Sequence, residues 1–361
     1  MKILRIYMRL PPLIGGMENH IAQLTKEQIK LGHDVVIYFN KGDKVSSHDV
    51  QVTKYSLYKL KPQFFGFFLF HLLVLIRLLR SQEKFELIHI HGDWSSLVLS
   101  KLIKKIVGAE KLILTVHDQL SKKILHKKAF SKLLENVDIL FATGYKAASQ
   151  LNKLSNNKVI VQPSGIQKIF LDSKTRNFNK SSFQVITVAN LFKKKNLGLV
   201  LDIAKELPLV NFLVVGEGPE KNYLLGRVKN EKLSNIQILG YKNSIELRSL
   251  YYQSDVFILT SIKEGTPTAM LEAMACGLPI VATDAGGVKR ILGSHNYIAD
   301  INDKKQFINC ISTLIGDIEL MKSISVKNNS QAKSFSWEHV AQKIDNLILD
   351  KVEIMIGDTT K

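Results

Sequence analysis

Val256-Phe257-Ile258-Leu259-Thr260-Ser261-Ile262-Lys263-Glu264-Gly265-Thr266-Pro267-Thr268-Ala269-Met270-Leu271-Glu272-Ala273-Met274-Ala275-Cys276-Gly277-Leu278-Pro279-Ile280-Val281-Ala282-Thr283 reads as a strand, a helix and a second strand. Val256–Thr260 and Pro279–Thr283 are short apolar runs of the kind a parallel sheet buries on both faces. Between them, Thr266 before Pro267 offers an N-cap followed by an N1 proline, and Gly277 ahead of Pro279 is a stop signal. A helix from about Pro267 to Cys276 is the expectation. Two parallel strands joined by a helix make one βαβ unit, so the sheet of which this is a part is an α/β sheet.

Working outward, the same alternation recurs along the whole chain. Ile3–Met8, Asp34–Phe39, Leu87–His91, Lys111–Val116, Ile139–Ala142 and Val159–Gln162 are expected strands, each followed by a helical pattern. After the polar break Asp172–Ser182 it restarts with Gln184–Ala189, Asn211–Gly216, Ile236–Leu239 and the two strands quoted above. The 361 residues exceed what one hydrophobic core usually serves. Two doubly wound, Rossmann-like domains are therefore expected: residues 1–171, a linker over 172–182, and residues 183–334, with a last helix at about 335–361 returning to the first domain. Such sheets take ligands at the C-terminal ends of their strands, here in a cleft between the domains.

The 45% apolar and 23% charged fractions are ordinary for a globular chain, and no repeat of solenoid period occurs. Cys276 and Cys310 are the only cysteines, too few for a disulfide framework or a cysteine-built zinc site. The N-terminus is charged too often for a signal peptide and reads as the first strand. The net charge of +18 is uneven: residues 1–165 hold 25 basic against 12 acidic side chains, the remainder 25 against 20. The excess in the first half calls for an anionic partner. Phe64–Ile76, apolar apart from Gly66 and His71 and flanked by Lys59, Lys61, Arg77 and Arg80, is too short to span a membrane. It reads either as a buried helix or as a helix lying in an anionic membrane interface. Lys122–Leu134 is a second such stretch, or else a solvated basic helix. No aromatic-and-basic nucleic-acid motif accompanies the charge, and nucleic acid is not an expected partner.

The chemistry centres on the quoted stretch. The first N–H groups of its helix, near Thr268 and Ala269, lack intrahelical partners and suit a diphosphate. Glu264 in the preceding loop and Glu272 within the helix are acceptors for a hydroxyl-rich ligand, one for a sugar and one for a ribose. His89 and His91 form a His-x-His pair without a third ligand nearby in sequence, and no Asp-x-Asp occurs, so no metal and no cofactor are expected.

Glu264 to Glu272 resembles the Glu-x7-Glu motif of glycosyltransferase family 4, retaining enzymes of the two-domain GT-B fold. The resemblance implies a donor site that takes in Thr266, Pro267, Thr268, Ala269 and Glu272, with Glu264 as a catalytic residue. Near the start, Gly15-Gly16 is similar to the family's glycine-rich loop beside the donor phosphate. Val188–Asn196 resembles the segment that supplies an arginine and a lysine to the diphosphate. Lys195 matches the lysine, whereas Asn190 stands where arginine is common, leaving Lys193 or Lys194 as substitutes. Gly216 and Tyr241 match two further donor loops, and His117 the histidine that contacts the donor sugar. Arg290 replaces a frequent glutamate. The resemblance implies transfer from a nucleotide diphosphate sugar, expected to be UDP-linked, without a metal, and Glu264, His117 and Lys195 would carry it. The basic first domain implies a lipid-linked glycan acceptor in cell-surface polysaccharide synthesis, with the protein peripheral at the inner face of the cytoplasmic membrane. A non-catalytic sugar-nucleotide or glycan-binding subunit is the alternative.

Overall fold

A computed structural model describes every residue except 14–15, 93, 122–127, 173, 175, 179–181 and 350–361. The chain forms two compact units, one of Met1–Gly165 together with the last helix, the other Ile166–Ser336. In the first unit the strands are β1 (Lys2–Ile6), β2 (Asp34–Phe39), β3 (Val50–Gln51), β4 (Leu87–His91), β5 (Lys111–Val116), β6 (Ile139–Ala142) and β7 (Val159–Val161). They lie in the order β3-β2-β1-β4-β5-β6-β7, all parallel. The second unit has β8 (Phe183–Val188), β9 (Val210–Val215), β10 (Ile236–Gly240), β11 (Val256–Leu259), β12 (Ile280–Thr283) and β13 (Tyr297–Ala299), in the order β10-β9-β8-β11-β12-β13. Both sheets run outward from their first strand in one direction and then in the other. Each therefore has a switch point, at β1/β4 and at β8/β11, where diverging loops leave a crevice at the C-terminal edge.

The central strands are buried on both faces, β4 and β11 at every residue, which is why they read as continuous apolar runs. The two strands the sequence did not announce, β3 and β13, are sheet-edge strands of two and three residues, too short to show a pattern.

Three expectations need correction. The division falls between Gly165 and Ile166, ahead of the polar break, so the described residues of that break belong to the second unit. Ile166 and Phe170 are buried, and Lys168–Leu171 is a helix against Ser244–Gln253 and Thr268–Ala275. Arg176, inside the break, donates to the carbonyls of Tyr251 (3.1 Å), Cys276 (2.9 Å) and Ser254. Secondly, the motif helix runs Thr268–Ala275, with Pro267 as N-cap and no side-chain cap bond. The Pro267 carbonyl accepts from Met270 and Leu271, so it, and not Thr266, opens the helix. Thirdly, the apolar run Phe64–Ile76 belongs to a longer helix, Gln63–Ser81, because Arg77 and Arg80 continue it instead of flanking it.

The last helix, Trp337–Ile348, packs on Gly16–Lys30 in the first unit. Asp345 accepts from Gln28 (2.8 Å) and pairs with His33 (2.5 Å), and the Lys111 ammonium reaches the Ile348 carbonyl. Trp337 lies so close to Gly165 that a β-carbon there would enter its ring. Of Lys122–Leu134, the described part Lys128–Leu134 is helical and inserts Phe130 and Leu134 into the core; residues 122–127 lie outside the described residues.

Candidate active site

In the second unit, the loops that leave β8 and β11 straddle the switch point and are laced together. Lys195 sits in a 3-10 turn, Lys193–Lys195, and Glu264 in the loop before Thr268–Ala275. The Ile262 N–H donates to the Lys194 carbonyl (2.9 Å), and the Thr260 hydroxyl to the Lys195 carbonyl (3.0 Å). These bonds place the Lys195 ammonium 2.5 Å from Glu264 Oε1, which also accepts from the Ser261 hydroxyl at 2.6 Å. Glu264 is almost fully buried and Lys195 mostly so. Two residues 69 positions apart, both expected to be catalytic, thus form one charge-assisted pair.

The motif helix begins alongside. Met270 and Leu271 spend their N–H groups on Pro267, whereas those of Thr268 and Ala269 have no partner among the described residues. These are the orphan donors of a helix start, at its positive end. Glu272 lies deeper and meets the Tyr251 hydroxyl at 3.2 Å. Desolvation pushes its carboxyl up to about 7, and the Tyr251 hydrogen bond only partly opposes this. At neutral pH Glu272 is therefore divided between acid and carboxylate, and it is not the acceptor-only group expected from the sequence.

The remaining donor-loop residues collect on the same edge of that sheet. Asn190 follows β8 and is exposed; Gly216 follows β9; Tyr241 follows β10 and is exposed. Gly216 has φ +138°, and a β-carbon there would collide with the Ala189 carbonyl, so the close approach of the two loops requires glycine. Lys193 lines a cavity of ≈ 490 Å³ with Phe192, Glu220 and Tyr223. Arg290 is exposed on a five-residue helix, Val288–Leu292.

In the first unit the switch point is occupied by histidines. His20 comes from Gly16–Lys30, His91 ends β4 and His117 follows β5. One ring nitrogen of each lies within 4.8 Å of those of the other two. The fold thus gathers what the spacing of His89 and His91 did not show. His20 arrives on a helix, and His117, 26 residues beyond His91, at the end of the next strand, with its Nε2 3.0 Å from His91 Nδ1. Three such nitrogens could hold a metal ion.

Without one, hydrogen bonding already fixes the rings. Arg5 Nη2 is only a donor, so His89 Nδ1 (3.3 Å) accepts and His89 Nε2–H faces the Thr115 hydroxyl at 2.8 Å. His91 Nε2 is buried without a partner. A bare nitrogen is cheaper to strand than an N–H, so the proton sits on Nδ1 and is donated to His117 Nε2. That leaves His117 with its proton on Nδ1. Burial lowers the basicity of all four rings, His117 down to about 3 and His20, His89 and His91 well below the usual range. They are neutral at physiological pH. Gly16 opens the helix that carries His20, with open space around it; Gly15 lies outside the described residues.

Comparison with known proteins agrees across the chain. The profile described as Glycosyltransferase Family 4 matches residues 14–168, and that described as Glycosyl transferases group 1 matches residues 169–333. The phosphatidylinositol N-acetylglucosaminyltransferase gpi3 subunit of Schizosaccharomyces pombe is 22% identical over 93% of this chain and 78% of its own length. Sucrose-phosphate synthase from Thermosynechococcus elongatus superposes with a TM-score of 0.83 at 18% identity, covering 97% of this chain and 98% of the other. The Anabaena protein Alr3699/HepE, solved in complex with UDP-glucose, gives a TM-score of 0.76 at 18% identity, covering 97% and 100%. The two parallel sheets are those of the GT-B fold.

Proposed function

The chain belongs to the group 1 glycosyltransferases of family 4, and from that membership we propose that it moves a sugar from a UDP-linked donor to a lipid-linked glycan, with retention, in cell-surface polysaccharide synthesis. The observation that carries the reading is the Lys195–Glu264 pair beside the unpartnered N–H groups of Thr268 and Ala269. A diphosphate at that helix start gains two backbone donors, the helix dipole and the nearby Lys195 charge. As the glycosidic bond to the leaving phosphate breaks, negative charge grows on the departing oxygens. Fixed donors then bind the transition state more strongly than the ground state. Lys195 and the helix terminus supply this positive potential, and no metal is required for it.

Glu264, held by Ser261 and Lys195, meets a sugar hydroxyl, and Glu272 meets the ribose with a group that both donates and accepts near neutral pH. Gly216, Tyr241 and Asn190 border the nucleotide. His117, with Nδ1–H available, donates to a sugar oxygen. Two relatives support the finer points: one is named for phosphatidylinositol, a lipid, and one was solved with UDP-glucose.

A thermal-shift series against UDP-, GDP- and ADP-sugars, followed by transfer to lipid-linked glycans with the stabilising donor, tests the proposal. A UDP-sugar is expected to raise the melting temperature, since it binds only the folded state. Glu264→Ala is expected to keep nucleotide binding and lose transfer. Stabilisation by no nucleotide sugar, or unchanged turnover in Glu264→Ala, overturns the reading.

A further inference from the structure

The helix Gln63–Ser81 carries two apolar stripes where a surface helix of a soluble protein carries one. The inner stripe, Phe70, Val74 and Leu78, is fully buried in the first unit's core, and a β-carbon at Gly66 would run into the Leu57 carbonyl. The outer stripe runs from Phe65 (55% exposed) through half-buried Leu69 and Leu72 to Ile76 (36%) and Leu79 (52%). These positions are i, i+4, i+7, i+11 and i+14, one continuous face of the helix. Phe64, 44% exposed and stacked on Phe68, widens it at the N-terminal end. Phe65, Ile76 and Leu79 stand exposed along this face.

The charges around it have one sign. From Val50 to Gln82 there is no acidic residue, and Lys54, Lys59, Lys61, Arg77 and Arg80 are all exposed and form no ion pair among the described residues. An apolar band bordered by unpaired cations matches an anionic bilayer surface, with acyl chains for the band and headgroup phosphates for the rim. Length and composition alone would let Phe64–Ser81 cross a membrane. The buried inner stripe forbids this, since crossing would strip Phe70, Val74 and Leu78 from the core.

We infer that Gln63–Ser81 docks the protein flat on an anionic membrane, its outer stripe from Phe65 to Leu79 entering the headgroup boundary and Lys59, Lys61, Arg77 and Arg80 contacting lipid phosphates. The inference names the element that serves the lipid-borne acceptor of the reading above, yet it stands on this helix alone.

The test is sedimentation of the full chain with vesicles of phosphatidylcholine, with or without phosphatidylglycerol. Binding is expected only with phosphatidylglycerol and is expected to weaken as salt rises. The triple variant F65S/I76S/L79S is expected to bind at least about tenfold more weakly at every salt concentration, with its melting temperature unchanged. The variant K59Q/K61Q/R77Q/R80Q is expected to lose the salt-sensitive part, each cation being worth roughly fivefold at a surface. Equal binding by parent and triple variant overturns the inference. So does a lipid-free dimer that the triple substitution disperses, since a second copy would then be the occupant, and so does resistance of the bound protein to alkaline extraction, which marks a spanning helix. Thermal shift with a UDP-sugar, measured on the same variants, separates the two readings: vesicle binding without any nucleotide-sugar response sinks the proposed function and leaves the docking surface standing.

Discussion

The Lys195 ammonium and the Glu264 carboxylate hold one another in a mostly buried place, so removing either leaves the other's charge without its balancing partner. Lys195→Met leaves Glu264 its bond from the Ser261 hydroxyl but takes away the balancing charge. It is expected to cut kcat/KM for glycosyl transfer by about 100- to 1,000-fold, the range seen when one preorganised donor to a developing charge is lost. Glu264→Gln, which keeps shape and hydrogen bonding, is expected to fall between wild type and Glu264→Ala. Steady-state kinetics with the accepted donor decide this, and a Lys195→Met enzyme of undiminished kcat/KM would remove the lysine from the chemistry. A second prediction concerns protons. Long-range 15N correlation spectra of histidine-labelled protein are expected to show Nδ1–H on His91 and His117 and Nε2–H on His89, as the Arg5 and Thr115 contacts require. An Nε2–H tautomer on His117 would contradict the chain of donation drawn from Arg5 and from the stranded His91 nitrogen.

At the level of elements, the strands were legible wherever a run was long and buried on both faces. β2, β4, β5 and β6 begin and end where the apolar pattern does. The polar break at 172–182 was misleading because its decisive residue is a charged one that turns inward. Arg176 caps three carbonyls near the ends of other elements and lies over the rings of Phe178 and Tyr252 at 5.4 and 5.6 Å. No local pattern announces such a contact, since the carbonyls it satisfies lie 75 to 100 residues away. Burial lowers the Arg176 guanidinium to about 10, which still leaves it charged at neutral pH. Arg176→Ala is expected to destabilise the second unit by about 2–4 kcal/mol, because it removes charged hydrogen bonds and strands carbonyls. Arg176→Lys is expected to recover only part of this, a single ammonium being unable to reproduce the planar fork. Urea denaturation followed by the far-UV signal measures both, and equal stability of Arg176→Ala and the parent would show that the Arg176 contacts do not hold the second unit together.

For the whole molecule, the two-sheet organisation and the motif at Glu264–Glu272 were open to reading because both depend on short-range pattern. The histidine cluster was not, because His20, His91 and His117 meet only once a helix and two strands are assembled. That assembly sets the response to acid. His20, His89 and His91 are buried and held well below their usual basicity, chiefly by desolvation. Below about pH 6.5 the unfolded chain binds protons on these rings that the native state refuses, so stability falls as pH falls, by about 1.4 kcal/mol per pH unit for each fully refusing ring. Glu272 has the opposite sign. Its carboxyl is raised to about 7, so between about pH 7 and 4.5 the native state takes up a proton before the unfolded state does, and acidification favours it. Lowering the pH from 7 to 5 is therefore expected to loosen the first unit well before the second. Hydrogen exchange read by mass spectrometry is expected to show peptides of β4 and β5 losing protection at pH 5 while peptides of β11 and Thr268–Ala275 keep theirs. Replacing His91 by Gln, which does not titrate, is expected to flatten the acid slope of the first unit by about one proton. Protection lost first around Glu272, or an unchanged slope in His91→Gln, would show that some other set of groups governs acid stability.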